Sequence, residues 1–551
     1  MKNMMRGQPA LFKSGTKHMT GTADAVVRNI EACRTLAKMT RTSLGPHGMN
    51  KMVINHLDKL FVTSDSATIL KEIDVEHPAA KMIVMAAQQQ DYECGDNSNF
   101  VVVLAGELMS QAEGLLRMGL HPADIVRGYG MAGVKALEIM SGLTCFNQES
   151  FTEPKALAQA CFTAICSKQY GNEAILCDLI GKACAAVMPS KPSSFNVDNV
   201  RVCKVHGGSL HQSEVLMGVV VGRAPDGTTL EVNQANVAVF VESIDTSTTD
   251  TKGTVALNSA RELLDYSIGE EKLIQSMIEA LAAIGCNAVV TGGKISEMAL
   301  HFLNKNNILA LRVTSKFELR RLARSLNANL NLNIQTPVSA EDLGYCSKAY
   351  IRDVGAQTCT VFQQGGEKDA TRNQHSVIST IILRGSTENY LNDFERAIED
   401  GVNVVRAVCK SPAFTAGGGA CELAVSAQLL SYATSCVGLE QYAIKAYADA
   451  MAMFPRTLAQ NAGLDATQIL AKLYSAHERG DSTVGVNIEG DSVSDMRPLG
   501  VYDHLDTKLH ALKLATDVAT TVLSVDQIIM AKPAGGPKAP KGQGHWDDRD
   551  E

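Results

Sequence analysis

Apolar residues recur at helical spacing over 22–40, where Val26, Ile30, Cys33 and Ala37 fall on one face, so an amphipathic helix is predicted there. A longer helix is predicted from Phe100 to Met118, with Val101, Leu104, Ala105, Leu108, Ala112 and Leu115 together and Gly119 as its stop. Between them, Met52–Asn55 and Leu60–Thr63 read as short strands. In the middle of the chain the period changes: Cys286–Thr291 is strand-like, Ile295–Asn304 helical and Ile308–Val313 strand-like again, which predicts a βαβ unit with a parallel pair. A β-rich run, Ser376–Arg384, precedes a helical pattern from Leu391 to Val408, and the chain to about Ala531 reads as mostly helical. The Pro/Ser stretch at 189–194 and the polar stretch at 363–375 bracket a middle block of about 170 residues and are candidate boundaries. Residues 532–551, rich in Pro and Gly, are expected to be flexible.

A length of 551 residues exceeds one hydrophobic core, so roughly three or four units are expected. With 45% hydrophobic and 20% charged residues the chain can bury such cores. The formal charge of -8 is spread along the whole length and gives no electrostatic footprint for nucleic acid or an anionic membrane. The 14 cysteines, from Cys33 to Cys436, contain no C-x-x-C pair, which argues against a zinc ribbon or redox dithiol and for buried small hydrophobes in a reducing compartment. The start of the chain has no apolar signal core, and no run approaches the ~18 residues that span a bilayer. A cytoplasmic location, without membrane or nucleic-acid partners, is the expectation.

Three loops carry candidate chemistry. Gly45-Pro46-His47-Gly48, between helix and strand, lets backbone N–H groups approach an anion, although such loops are also plain turns. Asp96 stands just ahead of a helix N-terminus, where the dipole suits phosphate and a carboxylate can hold Mg²⁺; it would equally serve as a simple N-cap. Gly417-Gly418-Gly419 precedes a helix beginning near Ala420 and suits close approach to a nucleotide, or a linker. Val290-Thr291-Gly292-Gly293-Lys294 imitates the end of a phosphate-binding loop, but Ala288 stands where the earlier glycine is required and Ile295 where Ser or Thr is, so it is read as a strand-to-helix connection.

The order of motifs adds more than any one of them. Thr42-Ser43-Leu44-Gly45-Pro46-His47-Gly48-Met49-Asn50-Lys51-Met52, then Asp65-Ser66-Ala67-Thr68-Ile69-Leu70-Lys71, then His77-Pro78-Ala79-Ala80-Lys81-Met82 resembles the signature of the group II chaperonin family. The resemblance covers essentially the whole chain. Runs such as Ser167-Lys168-Gln169-Tyr170-Gly171-Asn172-Glu173 and Phe195-Asn196-Val197-Asp198-Asn199 resemble one particular subunit type of its eukaryotic cytosolic members.

The resemblance implies a multidomain α+β and α/β fold. It comprises a mostly helical equatorial ATP-binding domain (1–150 and 409–531), a small α/β intermediate hinge domain (151–215 and 375–408) and an α/β apical substrate-binding domain with a helical protrusion (216–374). It implies ATP/ADP and Mg²⁺ as cofactors. By position, Gly45 and Pro46 would cradle phosphates, Asp96 would bind Mg²⁺, Asp65 would be the catalytic carboxylate that helps orient the attacking water, and Asp400 a further catalytic carboxylate carried by the intermediate domain, though by pattern alone it reads as an acid on a solvated helix face. Lys168 matches a lysine near the γ-phosphate, Gly418 and Gly419 would lie against ribose and base, Asp503 would accept from ribose hydroxyls, and Asn487 would touch adenine. The family's Gly-Asp-Gly-Thr-Thr is Gly95-Asp96-Asn97-Ser98-Asn99 here, so Asn97, Ser98 and Asn99 would surround the phosphates with altered side chains; Asn is the least costly replacement for a glycine of positive φ. Ser66 stands for a common Gly and His47 for a common Lys.

Lys316–Arg324 reads as a helix with Leu319, Leu322, Ala323 and Leu326 on one side and Lys316, Arg320 and Arg324 on the other. The resemblance makes it the border of a client groove and makes 251–277 the protrusion. The implied function is that of a subunit of a hetero-oligomeric double-ring ATPase that encloses and folds proteins such as actin and tubulin, with other ring subunits and co-chaperones as partners. The alternative is a nucleotide-holding structural subunit of the same ring with weak or no hydrolysis of its own.

Overall fold

The structure is a computed structural model and describes residues 17–19, 22–245, 259–355, 357–365, 377–490 and 492–530. The tail at 532–551, most of the polar stretch at 363–375 and the first part of the expected protrusion, 251–258, lie outside the described residues.

Helix α1 (Thr22–Arg41) buries Val26, Ile30, Cys33 and Ala37, the four positions its periodicity marks. It packs along α4 (Ser98–Arg117), where Gly106 allows close approach: a Cβ there would lie 2.1 Å from that of Ala37. α4 starts two residues before the apolar pattern does, because Ser98 and Asn99 are polar and carry no periodic signal. It ends where Gly119 turns to φ +94° and Leu120 donates back to the Leu115 carbonyl. Around this pair gather α3 (Pro78–Glu93) and α5 (Pro122–Ser141) from the first part of the chain. From the last part come helices at Ala420–Ser435, Glu440–Met451 and Leu505–Leu523. One helical core is thus built from both ends of the sequence. The Phe100 and Phe454 rings stack within it with centroids 4.2 Å apart, and Tyr129 meets Tyr447 edge-on.

A second core lies where α6 (Pro154–Cys166), α7 (Glu173–Ala186) and the long helix Glu388–Lys410 cover strands β5 (Val200–His206), β6 (Glu214–Val221) and β13 (Ser379–Gly385). β13 is parallel to β5 and antiparallel to β6. The sheet continues through β12 (Gln357–Gln363), β11 (Gly344–Val354), β7 (Glu231–Phe240), β8 (Ala288–Thr291) and β9 (Leu309–Arg312). The predicted βαβ unit is β8, α9 (Glu297–Lys305) and β9, with Ala288 opposite Leu309 in a parallel ladder. α9 begins later than expected because Ser296 is its cap, accepting from the Ala299 N–H at 3.2 Å.

Two further cores cover the faces of this end of the sheet. α8 (Ala260–Ala283) and α9 pack on one, through Ile274, Ile278 and Phe302. On the other, α10 (Lys316–Leu326) buries Leu319, Leu322, Ala323 and Leu326 and leaves Lys316, Arg320 and Arg324 exposed, as its two-sided pattern predicts; Phe317 and Arg321, which that pattern did not place, are exposed as well. The glycines of the phosphate-loop imitation pack against backbone: a Cβ at Gly293 would lie 2.3 Å from the Ser243 nitrogen. All 14 cysteines are free thiols, and no helix among the described residues is long and apolar enough to cross a membrane.

Among the described residues, α2 is Ser66–Glu72, the long helix Glu388–Lys410 is α11, and after it come α12 (Ala420–Ser435), α13 (Glu440–Met451), α14 (Met453–Asn461), α15 (Ala466–Glu478) and α16 (Leu505–Leu523). Three small sheets matter to the site: the hairpin β2 (Lys51–Ile54) and β3 (Leu60–Thr63); β14 (Ala413–Ala416) between β4 (Phe146–Asn147) and β17 (Tyr502–His504); and the hairpin β15 (Val484–Asn487) and β16 (Ser492–Asp495).

Candidate functional site

A cavity of about 320 Å³ opens where the two ends of the chain and the α6–α7 region meet. Gly45, Pro46, Asp65, Asp96, Asn97, Ser98, Asn99, Lys168, Gly418, Gly419, Asn487 and Asp503 all line it. Asp400 reaches the same place through an ion pair with Lys168.

The loop after α1 is forced by its glycines. Gly45 has φ +83°, and a Cβ on it would strike Leu458 at 2.4 Å; one on Gly48 would lie 2.4 Å from the Ser43 carbonyl oxygen. Asn461 holds the loop from α14, its amide donating to the Leu44 and Arg41 carbonyls at 2.8 and 3.2 Å. His47 lies against Tyr170, with ring centroids 4.8 Å apart.

The turn between α3 and α4 is equally constrained. Gly95 has φ +73° and Asn97 φ +63°, so the residue that departs from the family's glycine adopts the left-handed backbone that Asn tolerates best among side-chain-bearing residues. No side chain caps α4. Asp96 accepts from the Asn97 N–H at 2.7 Å, and Gln90 donates to the Asp96 carbonyl at 2.9 Å. Burial pushes the Asp96 carboxyl above its ordinary value, a tendency that the Lys168 cation and the Asn97 N–H oppose. Ser98 and Ser66 share a hydroxyl contact at 2.8 Å. The Asn99 amide donates to the Thr40 carbonyl and the Ser43 hydroxyl, each at 3.3 Å, and so ties α4 to the glycine loop; its buried Oδ1 has no partner.

Asp65 caps α2, accepting from the Ala67 and Thr68 N–H groups and the Thr68 hydroxyl. Lys168 reaches it at 3.1 Å from the turn after α6 and also pairs with Asp400 on α11. Burial acts to raise the Asp65 carboxyl, but Lys168 and the Thr68 donors outweigh it and hold it at about 2. α11 comes close because Gly401 packs onto Ile180 and Ile165, where a Cβ would lie 2.7 and 3.0 Å away. Its Asp393 accepts from the Thr63 hydroxyl at 2.9 Å and from the Gln169 amide, fastening the helix to β3 and to the Lys168 turn.

At the opposite end, antiparallel pairing of β14 with β17 sets Thr415 beside Asp503. Gly418 and Gly419 then turn with φ +64° and +79° into α12; a Cβ on them would lie 2.8 Å from the Met496 sulfur and from Pro455 respectively. Asn487 lines this end, and its Oδ1 accepts from the Glu489 and Gly490 N–H groups, so that oxygen is committed to shaping the β15–β16 turn.

Sequence reasoning passed over the charged floor here. Lys508, on the first turn of α16, bonds Glu422 at 2.5 Å and Asp503 at 2.7 Å, with its side chain 4% exposed and that of Glu422 3%. Burial would depress this ammonium, but Asp503 and Glu422 hold it well above the usual lysine range. A lone Lys or Glu in a first helical turn reads as solvated, and the only hints were that Glu422 closely follows the triple glycine and Lys508 follows Asp503. Asp393 likewise carried no signal beyond sharing a helical face with Asp400.

The site has one pole of glycine loops and an uncapped helix N-terminus, a central set of carboxylates bridged by a lysine, and one pole of buried acceptors. Residues 36–533 match the TCP-1/cpn60 chaperonin family. The chain is 47% identical over 544 residues to the T-complex protein 1 subunit theta of Bos taurus and equally to that of Homo sapiens, covering 98% of each chain. It is 46% identical over 543 residues to the probable T-complex protein 1 subunit theta of Schizosaccharomyces pombe, again with 98% coverage of each. With residues 36–533 matched by the family and nearly the whole chain aligned with these theta subunits, the chain belongs to the TCP-1/cpn60 chaperonin family.

Proposed function

We propose that this chain is a theta-type subunit of a hetero-oligomeric double-ring chaperonin of the cytoplasm, hydrolysing ATP to drive the enclosure and folding of client proteins. The observation that carries this reading is the convergence of the glycine loops, Asp65, Asp96, Lys168 and Asp503 on one cavity, with Asp400 joined to it through Lys168, from seven separate stretches of sequence. Phosphates suit the pole formed by Gly45, Pro46 and the N-terminus of α4, where unshielded N–H groups and the helix dipole favour anions. Asp96, which lines the cavity beside the start of α4, would hold Mg²⁺ together with phosphate oxygens and water. Magnesium so bound would neutralise charge developing on the phosphates.

Asp65 and Asp400 are the carboxylates that would orient a water toward the terminal phosphate, and Lys168, paired with both, would meet that phosphate's charge. Asp400 rides on α11 whereas Asp65 and Asp96 belong to the segment before α6, so movement of α11 would assemble or dismantle the site and couple hydrolysis to ring motion. In this reading 1–150 with 409–531 form the equatorial domain, 151–215 with 375–408 the intermediate domain, and 216–374 the apical domain, whose α10 would border the client groove. Actin and tubulin are the proposed clients, and other ring subunits and co-chaperones the proposed partners.

Rings reassembled with Asp400→Ala in this subunit alone test the proposal by rapid-quench hydrolysis. A drop in total turnover with nucleotide still bound is expected. Unchanged turnover would leave a nucleotide-holding structural subunit, and sedimentation of the native protein only as a monomer would overturn ring membership.

A further inference from the structure

We propose that Glu422, positioned by Lys508, is a specificity-determining residue of the nucleotide site and, side by side with Asp503, selects ribose over deoxyribose. The inference rests on the proposed nucleotide site and adds to it two residues to which neither periodicity nor motif assigned a role. Lys508 is a single cation between two carboxylates, at 2.5 Å from Glu422 Oε1 and 2.7 Å from Asp503 Oδ2. The triad therefore keeps one net negative charge at the cavity floor. Glu422 is 2% exposed and lines the cavity, and its second oxygen, Oε2, has no hydrogen-bond partner. A buried carboxylate oxygen left unbonded is costly, and its natural satisfaction is a donor brought by a ligand.

The chemistry of that donor follows from the floor itself. The free oxygens of the floor are acceptors, whereas the glycine loop at Gly45 and the uncapped start of α4 present N–H donors, so a nucleotide entering this cavity places its phosphates at that other pole. Two acceptors held by one ammonium match a vicinal diol, which offers two O–H donors. The pairing edge of adenine fits worse, because its amino donor stands next to a ring nitrogen whose lone pair would face a carboxylate. Lys508 itself has two of its three donors committed to the carboxylates, so it serves to position them. Gly417 permits the approach: a Cβ there would lie 3.3 Å from Asp503 Oδ2.

The test is equilibrium binding of ATP, 2′-deoxy-ATP, 3′-deoxy-ATP and inosine triphosphate to the assembled complex, with this subunit wild type or Glu422→Gln, read from a fluorescent probe attached to this subunit. Wild-type subunit is expected to bind at least one deoxy analogue about tenfold or more weaker than ATP, since a hydrogen bond to a buried charged acceptor is lost. Glu422→Gln is expected to shrink that ratio severalfold while the ATP-to-inosine ratio stays fixed. Equal affinity of the wild-type subunit for ATP and both deoxy analogues overturns the proposal without recourse to any variant. A Glu422→Gln change confined to the inosine ratio overturns it too, in favour of base reading. Failure of the wild-type subunit to bind ATP at all overturns the underlying nucleotide site instead.

Discussion

Asp400 on α11 and Lys168 in the turn after α6 form an ion pair, and the same ammonium reaches Asp65 at 3.1 Å. One cation thus joins the carboxylate that caps α2 to the carboxylate on a helix from a distant part of the chain. The Lys168 and Asp400 side chains are 15% and 12% exposed, so the pair is poorly screened and breaking it has consequences.

Asp400→Ala should therefore act on hydrolysis more than on binding. Lys168 keeps Asp65 as a partner, and the glycine loops are untouched. Single-turnover hydrolysis by this subunit is expected to fall by about tenfold or more, because one water-orienting carboxylate is gone, while its nucleotide affinity stays within about threefold. Equal losses in both would refute this division of roles.

Asn97 offers a backbone test. With φ at +63° it occupies a region where Ala is strained and Gly is not. Asn97→Ala should cost about 1 kcal/mol in thermal or urea unfolding, and Asn97→Gly, which restores the family residue, only a few tenths. Equal destabilisation by both would mean that the side chain, and not the backbone, is what matters there.

Gly419→Ala should damage the ribose end specifically. The new Cβ would lie 2.8 Å from that of Pro455 at a φ of +79°. Stability should drop by about 1 to 3 kcal/mol, and nucleotide affinity by about tenfold, since a shift of α12 also moves Glu422. Isothermal titration alongside unfolding separates the two effects.

The Asp65 carboxyl gives a pH dependence. It is held at about 2 against an ordinary 3.8, so its ionised form stabilises the fold fully above 3.8, and that contribution is lost as pH falls toward 2. Urea midpoints measured along the acid limb should fall less steeply for Asp65→Asn than for the unaltered chain. An identical slope would mean that the Lys168 pairing does not persist in solution.

Much of this could be read from the chain itself. The apolar spacing gave α1, α4, α9, α10 and α11 to within a few residues, because one buried face per helix imposes its period on the sequence. The glycines at 45, 418 and 419 marked loops because each has a positive φ that few other residues adopt. Its place just ahead of a helix start marked Asp96, and family resemblance then supplied Asp65, Lys168, Asp400 and Asp503 as candidates, which periodicity alone would have left as solvated acids and a surface lysine.

What the order of residues could not disclose is which charges meet. Glu422, Lys508 and Asp503 carry no sign in their own segments that they meet, and they form one triad around a buried lysine only because the pairing of β14 with β17 and the packing of α16 against both strands bring their ends together. Asp393 and Asp400 become partners of Thr63 and Lys168 only because Gly401 lets α11 seat against α6 and α7. Local propensity and hydrophobic period act over a few residues and are written in the sequence, whereas charge pairing in a low-dielectric interior depends on long-range packing, and the tertiary structure alone decided it.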